Sequence, residues 1–199
     1  MVLASAANAY AVCSGIGASE TATSPGRALY LGSKVAQELV VAADCAAHGI
    51  PLAVMRISSI IGTGDSIVDA FARRLGGGED ITLEAGGSFS ADFVSADNVA
   101  QGLLIAVREG LRGTFNLSSG HSTSLAEVAE ELRHLTGAKA AQIITRGYKL
   151  STDQGFAAVD CERLRSLGYS PDSLGETLAR IVTAQNATGA WPQPAMVAT

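Results

Sequence analysis

Tyr30 and Lys34 stand four residues apart in Tyr30-Leu31-Gly32-Ser33-Lys34. That spacing places a phenol and an ammonium on one face of a helix. A free tyrosine titrates near ~10 and a neighbouring cation favours its charged form, so such a pair can trade a proton near neutrality. The exchange suits interconversion of a carbonyl and an alcohol beside a hydride carrier. Two residues alone do not carry this reading, because the same spacing occurs on any amphipathic helix with a solvated face.

The elements that must position the pair are legible on both sides of it. Val2-Leu3-Ala4-Ser5 reads as a short buried strand. Residues 8–28 are polar and glycine-rich and close at Pro25, which predicts a loop. A helix follows over 29–48, with Val35, Leu39, Val40 and Ala43 as its expected apolar face and His48-Gly49 as its stop. Pro51 leads into the apolar run 52–57, the pattern of a central parallel strand. Strand, helix and strand in this order form a crossover unit. Residues 60–64 are then expected as the turn at the carboxyl ends of the strands, where open α/β sheets bind ligands.

Further along, 67–75 reads as a helix broken by Gly76-Gly77-Gly78, and 80–84 and 89–94 as strands. Ser95-Ala96-Asp97-Asn98 opens a helix over 99–108, with Asp97 as the expected cap. A strand is expected over 113–117. Ser124-Leu125-Ala126-Glu127 has the form of a capping box opening a helix to Leu135. A strand over 140–145 and helices over 160–167 and 173–184 complete the reading, and 187–199 is expected as a frayed tail.

The 199 residues are enough to bury a substantial core, and 47% apolar, 17% charged and 22 Gly suit an α/β protein with tight turns. A net charge of −5 without a basic run argues against nucleic acid and anionic membrane as partners. No apolar run approaches the ~20 residues of a membrane span. Cys13, Cys45 and Cys161 are odd in number and far apart, which points to reduced thiols and a cytoplasmic setting rather than disulfides or a zinc site. His48, His121 and His134 lack metal-ligand spacing, so no metal site is expected.

In order and spacing, several segments resemble the later two-thirds of the extended short-chain dehydrogenase/reductases, the NAD(P)-dependent epimerase/dehydratase family. Glu20 and Pro25 precede Tyr30-x-x-x-Lys34, with Ser33 before the lysine and Glu38 one turn after it. Arg56-Ile57-Ser58-Ser59-Ile60-Ile61-Gly62-Thr63-Gly64 is similar to the family's R-x-x-N-x-Y-G-P-G. The run from Asp92 to Ala100 resembles R-D-F-x-H-V-x-D-V-A without its arginine. Residues 113–120 resemble G-x-Y-N-I-G-S-G, and Asp160, Leu164, Leu167-Gly168-Tyr169 and Pro171 resemble D-x-x-K-x-x-x-L-G-W-x-P.

The resemblance implies NAD or NADP as cofactor and hydride transfer at a carbinol carbon of a sugar nucleotide or related small substrate. It makes Tyr30 the acid/base, gives Lys34 a grip on the ribose, and places Ser58 and Ser59 where a strand end approaches the nicotinamide. The family's third catalytic position, counted back from Tyr10, falls on Ala6, and Ser5 one place away is the substitute candidate. The family's phosphate-binding arginine is Ala91 here, its turn asparagine is Ser59 and its turn tyrosine is Ile61. An arginine clamps a diphosphate bidentately and alanine cannot.

The family's G-x-x-G-x-x-G turn is not found ahead of the Tyr30 segment. Ser14-Gly15-Ile16-Gly17 looks like the end of a shorter fingerprint, but position 11 is alanine and no helix-long stretch follows before Pro25. The expected fold is thus α/β: an incomplete Rossmann-type parallel sheet, later strands only, with a small carboxyl-terminal α/β substrate subdomain. Residues 1–64 would carry the sheet and the Tyr30 helix, and 65–186 the substrate subdomain, interleaved with the last sheet strand near 113–118. Three readings stay open: an enzyme seen without its cofactor-binding half, a non-catalytic pseudoenzyme, or a subunit completed by a partner chain. A homodimer or a partner chain covering the exposed sheet edge is expected.

Overall fold

A computed structural model describes residues 1–7, 29–62, 64–147 and 158–188. The loop expected over 8–28, Thr63, and the tail from 189 onward lie outside the described residues, as do Tyr10 and Ser14–Gly17.

Three parallel strands form the first sheet in the order β1 (Val2–Ala6), β2 (Ala53–Ile57), β6 (Gly113–Leu117). Helix α1 (Leu29–Ala47) lies between β1 and β2 in the chain, as the crossover pattern requires. Met55, Ile57, Phe115 and Leu117 form a buried core with Ala106 of α3 (Ala96–Arg108), Leu164 of α5 (Glu162–Arg165) and Tyr169.

A second core gathers around α2 (Ile67–Gly76), α4 (Leu125–Thr136) and α6 (Leu174–Thr188), with Val68, Leu75, Val128, Leu132 and Leu178 fully enclosed. Beside it β3 (Ser59–Ile61) pairs in parallel with β5 (Ser90–Ser95), and β5 pairs antiparallel with β7 (Ser122–Ser124). β4 (Ile81–Leu83) pairs in parallel with β8 (Ile143–Thr145).

Local chemistry explains the boundaries. Ser66 and Ser124 each accept the N–H of the acid three residues on, and Asp69 and Glu127 return the bond to the serine N–H. Both are complete capping boxes. Gly137, at φ 67°, ends α4 in the left-handed conformation that glycine adopts freely.

Several sequence expectations are corrected. Ser59–Ile61 is a strand, because β5 offers it a pairing edge, and the turn begins only at Gly62. Ser95, not Asp97, caps α3, since its extended backbone aims Oγ at the N–H of Asn98. The expected helix over 160–167 shortens to Glu162–Arg165, and α6 continues to Thr188. On α1, Leu39 and Val40 are 67% and 69% exposed, and Ala43 is exposed as well. The face turned to the sheet carries Glu38, Val41 and the buried Cys45 instead.

Candidate active site

Helix α1 starts at the carboxyl-terminal side of the sheet and runs back along it, so Tyr30 in its first turn stands at the end where α/β sheets take ligands. Tyr30, Lys34 and Glu38 follow at i, i+4 and i+8, and Val41 and Cys45 continue the same stripe. The pair expected from the sequence therefore lies on the sheet-facing stripe, above the level where the strands cover it. Tyr30 is 56% exposed. Ser33 Oγ donates to the Tyr30 carbonyl at 2.7 Å, and Lys34 Nζ donates to Gln37 Oε1 at 3.0 Å.

Glu38 fixes the lower part of this stripe. Arg56 of β2 grips it with two nitrogens, Nε to Oε1 at 3.1 Å and Nη2 to Oε2 at 2.9 Å. Both side chains are only 12% exposed. Ser5 of β1, the register partner of Arg56, donates its hydroxyl to Glu38 Oε1 at 2.5 Å. Eight residues separate Glu38 from Tyr30, ~12 Å along a helix axis. The structure thus brings Ser5 to Glu38, two turns along α1 from the Tyr30 position. The pairing had one sequence signal: a charge at Arg56 within an otherwise apolar strand, which needs a partner if it is buried.

Ser58 and Ser59 follow β2 at the same end of the sheet. Ser58 is buried, and its hydroxyl points to Asp92 Oδ1 at 3.4 Å. Ser59 is half-buried at the start of β3. Asp92 itself is 1% exposed and gathers the N–H groups of Ser119, Gly120 and Val159 and the hydroxyl of Ser119. Burial pushes its carboxyl above the usual carboxylate range, and these donors offset part of that rise. Ala91 beside it is fully buried in the second core. A phosphate contact from that position is therefore closed off.

The described residues fit one end of a dinucleotide. Tyr30 and Lys34 offer a phenol and an ammonium suited to a ribose and the carbon beside it. A pyrophosphate needs free N–H groups at a helix N-terminus. At α2, α4 and α6 the cap serine takes one such N–H, that of Asp69, Glu127 and Glu176, and the acid's carboxylate stands over the same helix end. Ser95 likewise occupies the first turn of α3. No metal-binding group of three or more His, Cys, Asp or Glu occurs among the described residues. No described helix is long and apolar enough to cross a membrane.

A profile of the NAD dependent epimerase/dehydratase family matches residues 1–118. The dTDP-L-rhamnose 4-epimerase of Burkholderia thailandensis is 31% identical over 153 residues, covering 72% of this chain and 42% of the relative. The chain thus matches less than half the length of that protein. Among solved structures, UDP-glucose 4-epimerase of Thermotoga maritima with UDP-glucose superposes with a TM-score of 0.84 at 22% identity, over 95% of this chain and 64% of that one. The dTDP-glucose 4,6-dehydratase of Streptomyces venezuelae, solved with NAD bound, gives 0.82 at 21% identity over 97% and 62%. These two share the Rossmann-like fold. With the ordered motifs and the family match over more than half its length, the chain belongs to the NAD dependent epimerase/dehydratase family.

Proposed function

We propose that this chain supplies the proton-handling part of an NAD(P)-dependent oxidoreductase that works at a carbinol carbon of a sugar nucleotide or related small substrate. The observation that carries the reading is the stripe Tyr30–Lys34–Glu38, held at the carboxyl-terminal side of a parallel sheet by the Glu38–Arg56 pair. The bound nicotinamide would supply hydride transfer.

The residues of this chain do the rest. Tyr30 takes the proton of the substrate hydroxyl as phenolate and returns it as phenol in the reverse direction. Lys34 binds the ribose hydroxyls from the same helix face as Tyr30. Ser58 and Ser59, at the strand end, would help hold the nicotinamide. The named activities of the relatives support a nucleotide-sugar substrate, while Ala91 removes one phosphate contact of that class.

A second reading is favoured by the exposure of Tyr30 and by β1, which has β2 as its one recorded neighbour among the described residues. In it, a partner chain or second copy covers the edge of β1 and completes the cofactor site, or the assembly is non-catalytic. Titration of the purified protein with NADH and NADPH, followed by nicotinamide fluorescence, tests both readings. Saturable binding weakened at least ~10-fold by Lys34→Ala supports the first. Binding that appears only with a second polypeptide carrying a G-x-x-G-x-x-G turn supports the second. No binding under either condition sinks the cofactor-dependent account.

A further inference from the structure

The geometry points to Glu38, Arg56 and Ser5 as the device that sets the longitudinal register of α1, making all three positioning residues for Tyr30 and Lys34. Its functional consequence rests on the reading of Tyr30 and Lys34 given above; the register claim itself does not.

The apolar packing of α1 is poorly suited to fixing its height. Ala36, Ala42, Ala43, Ala46 and Ala47 are exposed, and Leu39 and Val40 face outward. Among the described side chains of its inward stripe, Cys45 alone is buried. A helix resting on so few interlocking side chains can shift by one residue, ~1.5 Å along the axis and ~100° about it, with little apolar surface at stake. Such a shift would carry both Tyr30 and Lys34 off the sheet-facing stripe.

The ion pair forbids it. A guanidinium fork on a carboxylate constrains rotation as well as translation. Arg56 is fixed in a central strand with Ser5 on one side and Asn116 on the other. Slipping α1 by one residue would break both arms of this fork and bring a neutral side chain opposite the carboxylate's place, a loss larger than that of the apolar contacts. Ser5 adds a third donor to the carboxylate from a second strand. Because a hydroxyl has one hydrogen to donate, Ser5 cannot hold Glu38 and a substrate oxygen at once. The residue that the sequence offered for the third catalytic role is therefore occupied in holding the helix.

Hydrogen–deuterium exchange of the purified chain, read by mass spectrometry together with melting temperature, tests the assignment. The apolar double variant Glu38→Met with Arg56→Met removes the pair without stranding a charge. The expected result is at least ~10-fold faster exchange across 30–41 with β2 amides within ~2-fold of wild type and melting changed by only a few degrees. Arg56→Lys keeps the charge but loses the fork, and is expected to give the same local pattern at ~3-fold. It also serves if the double variant does not fold. Exchange that rises equally in α1, β1 and β2, in step with a lowered melting temperature, would show a merely structural role and overturn the assignment. Unchanged exchange in α1 would overturn it too. Tyr30→Phe is expected to leave these exchange rates untouched, so failure of the proton-transfer reading appears only in turnover.

Discussion

Asp92 accepts both the backbone N–H and the hydroxyl of Ser119 on one oxygen, at 2.8 and 2.7 Å. Its other oxygen takes the N–H groups of Gly120 and Val159, both at 3.0 Å. One buried carboxyl thus ties β5 to the loop after β6 and to the segment before α5. Asp92→Ala would strand three backbone donors away from water, at ~1–3 kcal/mol for each one left unpaired. The expected loss is at least ~2 kcal/mol in urea unfolding. A loss below ~0.5 kcal/mol would mean that the donors find other partners.

Gly102 lies where α3 crosses the sheet. A Cβ there would stand 2.5 Å from Leu117 Cδ1 and 2.8 Å from its Cγ, and Leu117 is fully buried. Alanine gains ~1 kcal/mol in helix propensity, but overpacking costs ~1–3 kcal/mol. The clash wins because the neighbour is enclosed. Gly102→Ala is expected to lower the melting temperature by several degrees, whereas a raised melting temperature would show that Leu117 can move aside.

Burial pushes the Tyr169 phenol well above its ordinary value, while the native hydroxyl donates to the Ser118 carbonyl at 3.1 Å. The unfolded chain releases this proton near ~10 and the folded chain retains it. The folded state then binds more protons, so stability falls as pH rises past that point. Tyr169→Phe is expected to cost ~1 kcal/mol at pH 8 through the lost hydrogen bond and to flatten the alkaline decline. Urea midpoints at pH 8 and at pH 10.5 check the sign.

Much of the fold is written in local pattern. The apolar strand at 53–57, the helix break at Gly76–Gly78 and the box at Ser124–Glu127 each rest on neighbours within a few residues, and each appears as expected. What the pattern missed depends on distant partners. Hydropathy turns Leu39 and Val40 inward, but Arg56, 18 positions beyond Glu38, turns the helix the other way. Ser122–Ser124 has no apolar alternation and becomes a strand only because β5 presents an edge. Ser5 has the chemistry of a catalytic hydroxyl, yet its partner is Glu38, 33 positions away. That Tyr30 and Lys34 share a helix face was legible because their spacing is local to one helix.

The central claim is that the Tyr30 phenol carries the substrate proton. Its most direct test is turnover of a UDP- or dTDP-hexose with NAD or NADP by the longest polypeptide the gene encodes, compared with its Tyr30→Phe variant at matched melting temperature. Loss of a general acid/base predicts a kcat lower by ~10²–10⁴-fold with KM little changed. Equal turnover by the variant, or none by the unaltered protein, would contradict the account.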